Sequence, residues 1–161
     1  MDNIIHIGIA DYKIAKPPNL LMTTGLGSCI GICIRDESKK IACLVHIMLP
    51  SSNLAKGSFN KAKFADSGIL LALSEMEKNY CDKNKLTAKI AGGAQMFKPP
   101  SENDIMKIGF RNAEAVEEHL KKHNIRLLAK DVGGNFGRTV VFDPATGNLT
   151  IKSIGRGERI I

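Results

Sequence analysis

Residues 23–50 read TTGLGSCIGICIRDESKKIACLVHIMLP. A glycine-rich turn leads into an apolar run; a polar break follows, and a second apolar run ends at a proline. Ile30, Ile32 and Ile34 alternate along the first run, and Ile41, Cys43 and Val45 along the second, which is the period of a strand. Asp36 to Lys40, between the two, is charged and polar and suits a hairpin connection. Sharing one face pairs Ile34 with Ile41, Ile32 with Cys43 and Ile30 with Val45, since a slip of one residue would turn one apolar set outward. That register sets Cys29 opposite His46. Opposed residues carry Cβ atoms about 4.5–5.5 Å apart, close enough for a thiol and an imidazole to share a proton. A nucleophile within reach of a base is what a cysteine hydrolase requires.

Around this hairpin the chain alternates strands with two helical stretches. Ile4, Ile5, Ile7 and Ile9 mark an opening strand, broken by Pro17 and Pro18 and resumed over residues 20–24. Residues 50–60 form a loop rich in serine, lysine and glycine that leaves the His46 strand and borders the site. Ala65, Ile69, Ala72, Leu73, Met76 and Tyr80 lie at helical spacing and predict a helix over 61–80, with Cys81 filling its end. A strand over 86–91 runs into Gly92 and Gly93, and a loop is expected over 99–104. Ala113, Val116 and Leu120 mark a second helix over 112–123, and strands follow at 125–131, 139–142 and 149–154. Gly31, Cys33, Ala42 and Leu44 make the hairpin's other face apolar as well, so the sheet needs cover on both sides. The expectation is a layered α+β domain over residues 1–161, two packed sheets with helices outside.

Composition narrows the classes. A chain of 161 residues buries about two-thirds of its unfolded surface and needs no staple or metal to fold. The net charge is +7, but the lysines are scattered and there is no tryptophan, so a solvated surface is preferred to a nucleic-acid interface. No apolar run approaches the ~20 residues of a membrane span, and the first residues lack the pattern of a signal peptide. Cys29, Cys33, Cys43 and Cys81 show no paired spacing, which points to reduced thiols and a cytoplasmic protein. A zinc site is discounted, because Cys33 and Cys43 face opposite sides of the hairpin. His119 and His123, four apart but flanking two lysines, read as a solvated helix face. No cofactor is expected.

Gly25 and Gly27 permit a tight turn after which consecutive amides can converge on an oxyanion. Gly27 and Ser28 are therefore candidates for oxyanion or substrate binding, with the Ser28 and Cys29 amides as donors. A free thiol of pKa ~8.5 is only a few per cent thiolate at neutral pH, and an imidazolium from His46 would raise that fraction. Generic triad logic offers Asp131 or Asn135 to hold the imidazole.

The segments TTGLGSC and VHIMLP, with KIAGGAQMF at 89–97, IGFRN at 108–112 and DVGGN at 131–135, resemble the chemoreceptor glutamine deamidase family, CheD. The resemblance runs to about Val141 and is carried chiefly by GLGSC with a histidine seventeen positions after its cysteine. It implies an α/β/β/α sandwich of two packed mixed sheets, and catalysis by Cys29, His46 and Thr23, with Thr23 rather than its neighbour Thr24 at the family's offset. It further implies methyl-accepting chemotaxis receptors as substrates and a CheC-type phosphatase as a second partner. The rivals are a non-catalytic adaptor that binds receptor or phosphatase, and a cysteine hydrolase of some other amide.

Overall fold

The computed structural model describes residues 3–96 and 107–161; the loop expected over 99–104 lies outside them. Two five-stranded sheets pack face to face. The first is ordered β1 (Ile4–His6), β3 (Leu20–Leu26), β8 (Arg138–Phe142), β9 (Leu149–Ser153), β10 (Gly157–Ile160). The second is ordered β2 (Tyr12–Ala15), β5 (Ile41–Ile47), β4 (Ile30–Asp36), β6 (Leu86–Gly92), β7 (Arg126–Val132). One pair in each sheet is parallel, β1 with β3 and β6 with β7, so both are mixed. The layered α+β sandwich of two packed mixed sheets is as expected; among the described residues the helices lie on one side of it and not, as α/β/β/α layering would have it, on both. Both helices, α1 (Ala65–Lys78) and α2 (Ile108–Lys122), pack on the outer face of the second sheet and against each other. None of the helices among the described residues is long and apolar enough to cross a membrane.

β4 is buried along its whole length, and β5 along all but its first residue, because sheet and helices cover their two faces. Ile30, Ile32, Ile34, Cys43, Val45 and Ile47 face the helices, where they meet Ile69, Ala72, Met76, Val116 and Leu120. Cys33, Ala42 and Leu44 face the first sheet, where they meet Leu21, Leu26, Val140, Phe142 and Ile151. Cys33 and Cys43 thus lie on opposite faces.

The hairpin register differs from the expected one by two residues. Ile30 pairs with Ile47, Ile34 with Cys43 and Asp36 with Ile41, so His46 stands opposite Gly31 and not Cys29. The connection is therefore shorter, residues 37–40. The Asp36 carboxylate accepts hydrogen bonds from the Ser38 amide and hydroxyl and the Lys39 and Asp82 amides, and Lys40 turns the chain at φ +54°. A two-residue shift keeps every side chain on its face.

Other boundaries moved for local reasons. The first predicted helix splits: a 3-10 turn, Lys61–Lys63, is capped by the Asn60 side chain, Phe64 is extended, and α1 starts only at Ala65. Both helices end in the same way, with Tyr80 and Asn124 at positive φ. The next amide then bonds back across the last turn, Cys81 to the Met76 carbonyl at 3.1 Å and Ile125 to Leu120 at 2.9 Å. α2 begins at Ile108, four residues before the expected start. Two further strands, β2 and β10, lie outside the expected ones, and β2 flanks β5 at the sheet edge.

Candidate active site

β3 carries the first site residue across from the opposite sheet. Thr23 is buried, and its Oγ1 donates to the Ile7 carbonyl at 2.7 Å. The same oxygen lies 2.7 Å from His46 Nδ1. A hydroxyl has one hydrogen, and a carbonyl can only accept. The Thr23 proton is committed to Ile7, so Oγ1 accepts from Nδ1–H, which leaves Nε2 as the unprotonated ring nitrogen. His46 Nε2 is buried and has no hydrogen-bond partner among the described residues. Burial pushes the His46 pKa down to about 4, so the imidazole is neutral through the physiological range.

Cys29 ends the turn before β4, half-buried against the inter-sheet core. His46 opposes Gly31, and Cys29 lies one step further along the same face. Just before the strand, it takes the position diagonal to His46; in a regular ladder such neighbours carry Cβ atoms somewhat under ~7–8 Å apart. Gly31 lets Leu26 and Thr23 pack close over this end of β4, since a Cβ there would sit 3.2 Å from Leu26 Cδ1 and 3.7 Å from Thr23 Cγ2. Burial raises the Cys29 pKa, partly offset by its own backbone amide. With the thiol raised and the imidazole lowered, the resting pair is neutral. The expectation of an imidazolium that ionises the thiol is corrected accordingly.

The turn that carries Cys29 is held by its carbonyls. Gly27 O accepts from Ala94 N at 2.8 Å and Cys29 O from Gly93 N at 2.9 Å. Ser28 O accepts from Asn112 Nδ2 at 2.9 Å. Gly92 is at φ +119°, and a Cβ there would collide with the Cys29 carbonyl, which explains a glycine at that position. Gly27 N donates to Gly25 O at 3.0 Å. The Ser28 and Cys29 amides have no backbone acceptor among the described residues.

The remaining sequence candidates lie elsewhere. Asp131 pairs with buried Arg138 at 3.0 Å and with Arg159 at 3.4 Å, not with His46. Thr24 is exposed on the other side of β3, and Asn135 sits in an exposed turn. No cluster of three metal-ligating side chains occurs among the described residues. Sequence reasoning missed Asn112. The signal was present: Asn112 falls four residues before Val116 and eight before Leu120, a polar residue on the buried stripe of α2.

A thiol at a strand end, an unpaired imidazole nitrogen on its face and a hydroxyl fixing the other nitrogen make a candidate thiol-hydrolase centre. Comparison with known proteins gives the family. The family model described as CheD chemotactic sensory transduction matches residues 48–153. The chain is 60% identical to the "Probable chemoreceptor glutamine deamidase CheD" of Syntrophomonas wolfei and 50% identical to that of Desulfitobacterium hafniense, each over 161 residues and the full length of both chains. It is 46% identical over 162 residues to the "Chemoreceptor glutamine deamidase CheD" of Halalkalibacterium halodurans, again over the full length of both. The chain belongs to the CheD family.

Proposed function

We propose that the protein deamidates glutamine side chains of methyl-accepting chemotaxis receptors to glutamate, with Cys29 as nucleophile, His46 as base and Thr23 as the group that orients the imidazole. The observation that carries this reading is the Thr23–His46 hydrogen bond, which leaves Nε2 as a free proton acceptor on the face of Cys29. The names of the full-length relatives supply the substrate class.

His46 Nε2 takes the thiol proton as Sγ attacks the carboxamide carbon. The Ser28 and Cys29 amides receive the oxyanion. The intermediate collapses with cleavage of the C–N bond, and the imidazolium returns its proton to the departing nitrogen, releasing ammonia and leaving a thioester. Water, deprotonated by Nε2, attacks the thioester; the C–S bond breaks, the thiol recovers its proton, and the product is a glutamate. Base strength and position both matter here. Nε2 and the thiol need not be hydrogen-bonded before substrate arrives, because catalytic contacts tighten in the complex.

The family resemblance also supplies a CheC-type phosphatase as a second partner. The cytoplasm is the compartment we propose, as the names of the full-length chemoreceptor-deamidase relatives suggest. Mass spectrometry of a receptor cytoplasmic fragment, incubated with the protein and with Cys29→Ser, tests the reading. A gain of about one dalton per modified glutamine is expected with the parent alone. Deamidation by Cys29→Ser at the parent rate would remove Cys29 from the chemistry, and no deamidation by either would favour the adaptor.

A further inference from the structure

We infer that Asn112 is a positioning residue for the nucleophile turn, fixing the peptide plane that presents the Cys29 amide. The inference rests on the proposed role of Cys29. Asn112 is fully buried on α2 and its Nδ2 donates twice, to Ser28 O at 2.9 Å and to Met48 O at 2.8 Å. One carbonyl precedes Cys29; the other lies two residues beyond His46. A single amide therefore ties the turn that carries the thiol to the end of the strand that carries the base.

The geometry makes the tie directional. In a trans peptide the C=O and the following N–H point in opposite directions. Drawing Ser28 O toward Asn112 aims the Cys29 N–H away from α2. The same logic applies on either side, where Gly27 O is held by Ala94 N and Cys29 O by Gly93 N. Those two clamps are backbone amides that any sequence retains. The middle one is a side chain, and it governs the peptide whose N–H also lowers the Cys29 pKa. Packing does not explain an amide at this position: Asn112 Oδ1 is buried with no partner among the described residues, an orphan that an apolar side chain would not leave.

The test compares Asn112→Ala and the near-isosteric Asn112→Asp with the parent, each assayed below its own melting midpoint. The readouts are kcat and KM for a receptor fragment and the pH profile of Cys29 alkylation. Displacing a reacting group by about 1 Å costs up to ~100-fold, so a fall in kcat of about ten-fold or more is expected, with KM within about three-fold. The alkylation profile should move to higher pH, which a merely structural asparagine would not cause. A folded variant of either kind with parental kcat and an unmoved profile overturns the inference. Cys29→Ser run alongside separates the two levels: if it remains active, the reading of the nucleophile fails, and if only the Asn112 variants are unaffected, the positioning role alone fails.

Discussion

The two faces of the central hairpin are built from the same strands and hold different chemistry. Toward the helices, Ile30, Ile32, Ile34, Cys43, Val45 and Ile47 join an apolar cluster, with polar groups at its margins: Asn112 at one end and the Asp36 carboxylate at the other. Toward the first sheet the middle of the layer is equally apolar, but its end contains Thr23, His46 and the Arg138–Asp131 pair. Each buried polar group there would carry a desolvation cost of roughly 1–3 kcal/mol if unpaired. All but one of the polar atoms in that set are satisfied. The exception is His46 Nε2. Each face leaves one buried acceptor unpaired among the described residues, Asn112 Oδ1 on the helix side and His46 Nε2 between the sheets, but only the second stands on the face of Cys29.

Thr23→Val breaks this comparison most directly, because it makes the inter-sheet face resemble the helix face. The two side chains have nearly the same shape, and the hydroxyl is lost. Ile7 O and His46 Nδ1 then lose their partner, and the imidazole is no longer held in the tautomer that exposes Nε2 as acceptor. A general base typically contributes ~10²–10⁴-fold, so a fall in kcat of about 100-fold is expected, with stability reduced by ~1–3 kcal/mol from the unpaired groups. Steady-state deamidation and a urea melt would measure the two. Parental kcat in Thr23→Val would assign the threonine to packing alone. Cys43→Ala on the opposite face should show the reverse pattern, with stability lost and kcat retained.

The faces also differ in how much of them the sequence disclosed. Alternation of Ile30, Ile32 and Ile34 with Cys43 and Val45 specifies which side chains share a face, and the structure has the same parity. The absolute offset did not, because a two-residue slip preserves the pattern and only the turn chooses between the alternatives. The deciding residue is Asp36, read as loop, whose carboxylate gathers three amides and a hydroxyl at the end of the strand. The candidates Cys29, His46 and Thr23 come from GLGSC and the family offset, and of these the structure joins Thr23 to His46 by a hydrogen bond. Asn112 was not read, although it broke an apolar stripe. The neutral resting pair was also hidden, since it depends on burial contributed by the opposite sheet, and no local pattern around Cys29 or His46 encodes that.

A pH titration of stability sharpens the same contrast at a smaller amplitude. His46 titrates near 6.5 when unfolded and about 4 when folded. The folded value is depressed, so the contribution is full above pH ~6.5 and is lost as pH falls toward 4, where the unfolded chain binds a proton that the native state refuses. The shift corresponds to a loss of up to about 3 kcal/mol across that window. Asp36 and Asp66, with lowered carboxyl pKa values, act only further down in pH. Urea melts from pH 7 to 4 should show the slope in the parent and a flatter one in His46→Gln. Parallel slopes would mean that the imidazole is not buried neutral.

The smallest effect is expected where the helix side reaches solvent. The stretch after β5 belongs to that side: Leu49 bridges Phe64, and the turn Lys61–Lys63 packs on α1. Lys56 and Lys61 are exposed, and Lys63 is half-buried with its ammonium 5.9 Å from the Phe64 ring centre. None of the three has a carboxylate partner among the described residues. Charges so placed act on encounter with a partner, and at ~0.15 M salt they act over about 8 Å. They do not act on the Thr23–His46 bond, which is sealed between the sheets. Replacing all three with alanine should lower kcat/KM for receptor a few-fold at low salt, leave kcat unchanged, and flatten the dependence on ionic strength. Alkylation of Cys29 should be unaffected. If kcat falls along with kcat/KM, the helix side and the inter-sheet side are coupled, and the division of labour between the two faces is wrong. If neither changes at any ionic strength, these lysines face solvent only, and receptor docks elsewhere on the surface.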